Sequence, residues 1–150
     1  MDRIELVYWV PRGWPHAVVG VTNLDVVDRV YYGLAELDHH YDMKALLRFF
    51  DRRRIPIAML VETTKGWHIY TAYYHRSPIK VYHTMARLPL VDKGHLSLAR
   101  KHRGDFKLIL RVSPKYAKPD LRVVYTDENV MSEWHLQVKE LIEAFWRYSK

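Results

Sequence analysis

The chain has 150 residues, a length that suits one domain. Apolar residues make up 49% and charged residues 27%, a globular mix that excludes a disordered chain, and no apolar run approaches the roughly 20 residues of a membrane span. Lys and Arg number 24 against 17 Asp and Glu, a net charge of +7, and the absence of Cys excludes disulfides, iron–sulfur clusters, thiolate zinc sites and thiol nucleophiles.

The opening residues Met1-Asp2-Arg3-Ile4-Glu5 carry acid where a secretory signal is basic and then apolar, so a cytoplasmic, membrane-free protein is expected. Asn23, Asn129 and Gln137 are the only amide side chains, and with no Cys and many Arg the composition is that of a thermophile. Eleven Tyr and five Trp in a basic chain fit a nucleic-acid or nucleotide binder, because cations neutralise phosphate and rings stack on bases.

In chain order, residues 4–10 and 17–21 read as short strands, broken by Pro11, Gly13 and Pro15. Residues 30–38 read as a longer strand rich in Tyr and Leu. Met43, Leu46, Leu47 and Phe50 then recur at the spacing of an amphipathic helix, with Asp42 as its cap. Arg52-Arg53-Arg54 suits the negative end of that helix, and Pro56 blocks its continuation. Residues 57–62 and 67–74 form a predicted hairpin around the turn at 63–66. Ser77-Pro78 starts a second helix, which Pro89 stops. A basic segment, 93–103, precedes predicted strands at 106–112 and 121–125. A last helix over about 132–148 lines up Trp134, Val138, Leu141, Ile142 and Phe145. The central β-α-β-β-α-β order predicts a single α+β domain over 1–150. Its core is an RRM-like or ferredoxin-like split βαβ, with helices on one face of an antiparallel sheet and the other face open.

Three groups of residues can carry chemistry. Glu36 and Asp38 end the first core strand, and i and i+2 side chains share a face. Two carboxylates there favour a divalent cation, Mg²⁺ or Mn²⁺. The turn Thr63-Thr64-Lys65-Gly66 leads into Trp67-His68, where Thr and Lys suit phosphate and glycine permits a turn conformation others resist. His68 is expected on the open face with Tyr70, Ala72 and Tyr74, able to donate to phosphate or move a proton. Asp92 comes third, with Lys93, Arg100, Lys101, His102 and Arg103 behind it and Arg111 and Lys115 beyond, cations able to hold a triphosphate. A basic run of this kind also serves as a plain solvated loop.

Taken in order, these pieces resemble the archaeo-eukaryotic primase (primase-polymerase) superfamily. Leu34-Ala35-Glu36-Leu37-Asp38 is similar to its hhhDxD strand, with Glu for the first Asp. Thr63-Thr64-Lys65-Gly66-Trp67-His68 is similar to its small-residue turn ending in sxH. Val91-Asp92 resembles its third motif, with Asp105 as a competing carboxylate, and Leu110-Arg111-Val112-Ser113-Pro114-Lys115 resembles the arginine-bearing strand that follows. The match spans about residues 30–115 and implies a minimal or mobile-element member, or an inactive relative. It implies metal-dependent nucleotidyl transfer from nucleoside triphosphates on a single-stranded DNA or RNA template. Glu36, Asp38 and Asp92 would hold the metals, and His68, Thr63, Lys65, Arg111 and Lys115 the triphosphate. Arg100, Lys101, Arg103, Tyr70 and Tyr74 would hold the template, and a replication subunit or helicase is an expected partner.

Two rival readings use the same sheet. A rolling-circle replication initiator places a His-hydrophobic-His strand beside a Tyr nucleophile; His68-Ile69-Tyr70 has only the first His, and Tyr82 is the candidate nucleophile. A non-catalytic RRM-like binding module needs only the basic, aromatic surface.

Overall fold

Val, Ile, Tyr, Thr and Trp crowd the extended segments, as half-buried pleated surfaces favour. The computed structural model describes residues 2–91, 104–114 and 120–149. Among them lie β1 (Ile4–Trp9), β2 (Val18–Asp25), β3 (Val30–Leu37), α1 (Met43–Arg52), β4 (Ile57–Glu62) and β5 (Trp67–His75). There follow α2 (Pro78–Ala86), β6 (Ile109–Arg111), β7 (Arg122–Thr126) and α3 (Glu133–Ser149). The fold is α+β, and every pairing in its seven-stranded sheet is antiparallel.

The strand path is β1-β2-β3-β5-β4-β7, with β6 attached to β2. β3 and β4 each pair antiparallel with β5, so they run parallel to one another with β5 between them. α1 makes that crossover, and this is the split βαβ unit the element order predicts. The caps are those read from the sequence. Asp42 accepts the Ala45 N–H at 3.0 Å at the start of α1, and Ser77 accepts the Lys80 N–H at 3.4 Å ahead of Pro78.

The last core strand differs from expectation. Only Ile109–Arg111 is extended, and it pairs with β2 rather than β3. The cause is a fork in β2. Leu24 and Asp25 pair with β3, whereas Gly20, Val21 and Thr22 pair with β6. Buried Asn23 sits at the division. Its amide donates to the Tyr32 carbonyl at 2.8 Å and accepts the Leu108 N–H at 2.9 Å, satisfying backbone groups on both branches.

Gly33 fixes which side of β3 faces α2. A Cβ there would lie 2.7 Å from the Met85 sulfur and 2.7 Å from the Thr71 hydroxyl. Its neighbours Tyr32 and Leu34 therefore point to the reverse face. That face is not open at its centre. Trp134 of α3 stacks on Tyr32 at 4.9 Å and tilts over Tyr70 at 6.2 Å, and its indole N–H donates to the Leu24 carbonyl at 3.1 Å. The apolar stripe of α3 needs a surface to bury, and this face supplies it; Trp134, Val138 and Ile142 are buried. Among the described residues, no helix is long and apolar enough to cross a membrane.

Candidate functional site at the end of β3 and β5

The β3–β5 register sets Glu36 directly across from His68, and Leu37 across from Trp67. Glu36 Oε1 stands 4.0 Å from His68 Nε2. The imidazole is buried, whereas about a third of the Glu36 side chain meets solvent, 32%. A carboxylate at the surface thus backs onto a ring held in the sheet, an arrangement able to bind a cation or orient an imidazole for proton transfer. β3 ends at Leu37, so Asp38 lies one residue past the ladder and is exposed.

The chain beyond Asp38 folds over the β4–β5 turn. Trp67 donates its indole N–H to the Tyr41 carbonyl at 3.0 Å, and a ring nitrogen of His40 lies 2.9 Å from the Thr63 carbonyl. Gly66 makes this possible through its size. A Cβ there would fall 2.0 Å from the Leu37 carbonyl oxygen and 2.6 Å from the His39 nitrogen. Positive φ among the described glycines occurs at Gly13 and Gly104, so Gly66 serves a close approach rather than the unusual turn conformation expected of it. Thr63 closes the turn on itself, its hydroxyl accepting the Gly66 N–H at 2.9 Å. Lys65 is exposed at the tip.

Other predicted site residues stand apart from this end. The Arg111 side chain is nearly buried and grips Asp120 through two bonds of 2.8 and 3.1 Å. Arg111 also donates to the Ser113 carbonyl. Its charge is paired with a carboxylate inside the fold, unlike the free cation expected of a triphosphate ligand. Tyr70 is fully buried beneath Trp134, so its ring is not offered to a base. Its hydroxyl has no hydrogen-bond partner among the described residues, and burial pushes its pKa far up, the nearby Arg111 charge opposing. Tyr74 is exposed, 59%, and meets Tyr32 edge-on at 5.8 Å. Tyr82, the nucleophile of the rolling-circle reading, is buried against Phe106, with ring centres 5.3 Å apart. Asp92, Arg100, Lys101, Arg103 and Lys115 lie outside the described residues, as do Lys93 and His102.

The fit to a divalent metal is partial. Glu36 and Asp38 are two oxygen donors at one strand end, but no three His, Asp or Glu side chains among the described residues gather as a metal-holding group. Asp105, the competing third carboxylate, accepts the Lys107 N–H at 3.1 Å.

Two features escaped the sequence reading. One is a groove of about 250 Å³ between α1, the start of β4 and the end of β7, lined by Leu47, Arg48, Asp51, Ile57, Tyr125 and Asp127. The other is a buried histidine, His135, whose Nδ1 accepts from the Ser132 N–H at 3.1 Å while Nε2 donates to the Thr71 carbonyl at 2.9 Å. The i+3 spacing of Ser132 and His135 before an apolar run was its signal, a capping box with His in place of Glu. Comparison with protein-family models, curated proteins and solved structures finds no match for this chain.

Proposed function

We propose that the chain is a primase-type nucleotidyltransferase that extends or starts a strand on a single-stranded template, with its site at the shared end of β3 and β5. The reading is carried by one observation, Glu36 standing 4.0 Å from His68 across the ladder. The residues of the first two primase-like motifs thus come from separate stretches of sequence to one sheet end, with Asp38 and Lys65 exposed close by in the chain. In this reading Glu36 and Asp38 offer oxygen ligands to Mg²⁺ or Mn²⁺, and Asp92 is the third ligand. Such ions lower the pKa of an attacking hydroxyl and neutralise a leaving pyrophosphate. His68 contacts the incoming triphosphate or holds a proton at Nε2, oriented by Glu36. Lys65, on the exposed tip, meets the outer phosphates.

The test is nucleotide incorporation on single-stranded DNA with Mn²⁺, comparing wild type with Asp38→Ala. The expected result is product from the wild type alone, with oligonucleotide binding nearly unchanged in the variant. Undiminished synthesis by Asp38→Ala would overturn the assignment of the carboxylates. No synthesis by a wild type that still binds single strands would leave the non-catalytic module in its place.

A further inference from the structure

We propose that the outward face of α1 binds the phosphodiester backbone of a single-stranded nucleic acid, with the groove beside Tyr125 receiving one of its bases. Lys44, Arg48 and Arg52 recur at i, i+4 and i+8 on the side of α1 opposite its buried Leu46 and Phe50. Successive cations are therefore about 6 Å apart along the helix axis. All three are exposed, and no ion pair among the described residues neutralises them. Some cations elsewhere have acidic partners: Arg3 with Asp25 and Asp28, Lys107 with Glu5, Arg111 with Asp120, Lys139 with Glu143.

The stripe is kept against local stability. Like charges at i, i+4 destabilise a helix, and α1 carries two such pairs in succession. The helix end repeats the pattern. Ile55 N–H bonds the Phe50 carbonyl and Arg54 N–H bonds the Asp51 carbonyl, which is a Schellman ending. Arg54 therefore occupies the left-handed position, φ +58°, where glycine is the natural choice. A cation held where glycine is favoured adds to a row of like charges that begins, at Lys44, in a first turn where acids are favoured. A polyanion is the partner such a surface complements.

The groove selects a single strand. Arg48 belongs both to the stripe and to its wall, beside the Tyr125 ring and the Ile57 side chain. Asp51 and Asp127 on the same rim repel phosphate but accept the N–H groups of a base. A base can enter only if it is neither paired nor stacked, as in a single strand. This inference does not depend on nucleotidyl transfer, since Asp38 lies outside both stripe and groove.

Binding of a short labelled oligonucleotide, followed by fluorescence anisotropy over a range of salt, tests it. Replacing Lys44, Arg48 and Arg52 together by Gln should weaken single-strand binding roughly 100-fold at 0.1 M salt and reduce the salt slope by about 2, as three lost phosphate contacts require. Tyr125→Ala should weaken single-strand binding about tenfold and leave duplex binding unchanged. Arg48→Gln alone, with a loss of about fivefold, serves if the triple variant fails to fold. Unchanged affinity and slope in these variants would overturn the proposal. So would a preference for duplex untouched by Tyr125→Ala, or binding confined to anionic phospholipid vesicles. Asp38→Ala should bind as the wild type does, which separates failure here from failure of the catalytic reading.

Discussion

The helices α1 and α3 solve opposite problems. α3 follows the rules of local stability. Ser132 and His135 cap its start reciprocally, Lys139 and Glu143 pair at i, i+4 with 2.9 Å between charges, and Trp134, Val138 and Ile142 are buried. α1 buries Leu46 and Phe50 with equal economy, but its outward face stacks like charges and its end forces an arginine into a left-handed conformation. Where a well-packed element breaks local rules on its exposed side alone, the broken rules mark a surface kept for binding rather than for folding.

If α3 is the structural member of the pair, damage to it should be felt first in stability. Trp134→Ala removes a fully buried indole that joins Tyr32, Tyr70 and the Leu24 carbonyl. The expected loss is about 3–5 kcal/mol in urea denaturation. A loss under about 1 kcal/mol would mean that α3 is dispensable to the sheet and that the contrast is misplaced.

His135 gives the next effect, and a direction with pH. Burial lowers its pKa from 6.5 to about 4, against the bond to the Thr71 carbonyl and the charge of Asp25, which favour the protonated form. The Ser132 N–H pointing at Nδ1 also requires that nitrogen to be unprotonated. The unfolded chain takes up a proton at its ordinary pKa, while the folded chain resists until about pH 4. The contribution is therefore complete above about pH 6.5 and is lost progressively as pH falls towards 4. Its full extent is about 3 kcal/mol. Urea midpoints for wild type and His135→Gln should converge through that window. Parallel curves would show that the ring is not the titrating group.

Much of this fold was legible because its determinants are local. Asp42 and Ser77-Pro78 announce the starts of α1 and α2, the bounds of β4 are those read from its apolar run, and the stripe of α3 gives its buried side. What was illegible is settled between distant residues. Nothing near Asn23 reveals that its amide divides one strand between two partners, and nothing in Arg111 reveals that Asp120 neutralises it. At the site, alternation placed His68 and Tyr70 on one face, but only the strand register sets Glu36 beside His68, and Trp134, more than sixty residues away, decides that Tyr70 is buried. Alternation also fails at a strand's end, so Asp38 leaves the ladder that holds Glu36. The meeting of Glu36 with His68 depends on a register shift between Tyr32 and Leu34 that no spacing rule displays.

The smallest effect is the most direct test of the contrast between the helices. Arg54→Gly relieves a non-glycine residue at φ +58° while leaving the Schellman hydrogen bonds of Ile55 and Arg54 to be made by the same backbone. Stability should therefore rise, by about 1 kcal/mol, offset in part by the greater freedom of glycine in the unfolded chain. The same change removes a cation from the end of the α1 stripe, so single-strand affinity should fall a few-fold as the protein becomes harder to unfold. A gain in stability without loss of binding would make Arg54 a tolerated imperfection, with the stripe ending at Arg52. A loss of stability would show that the arginine side chain is part of what holds α1 in place, and the division between a structural and a binding helix would no longer stand at that point.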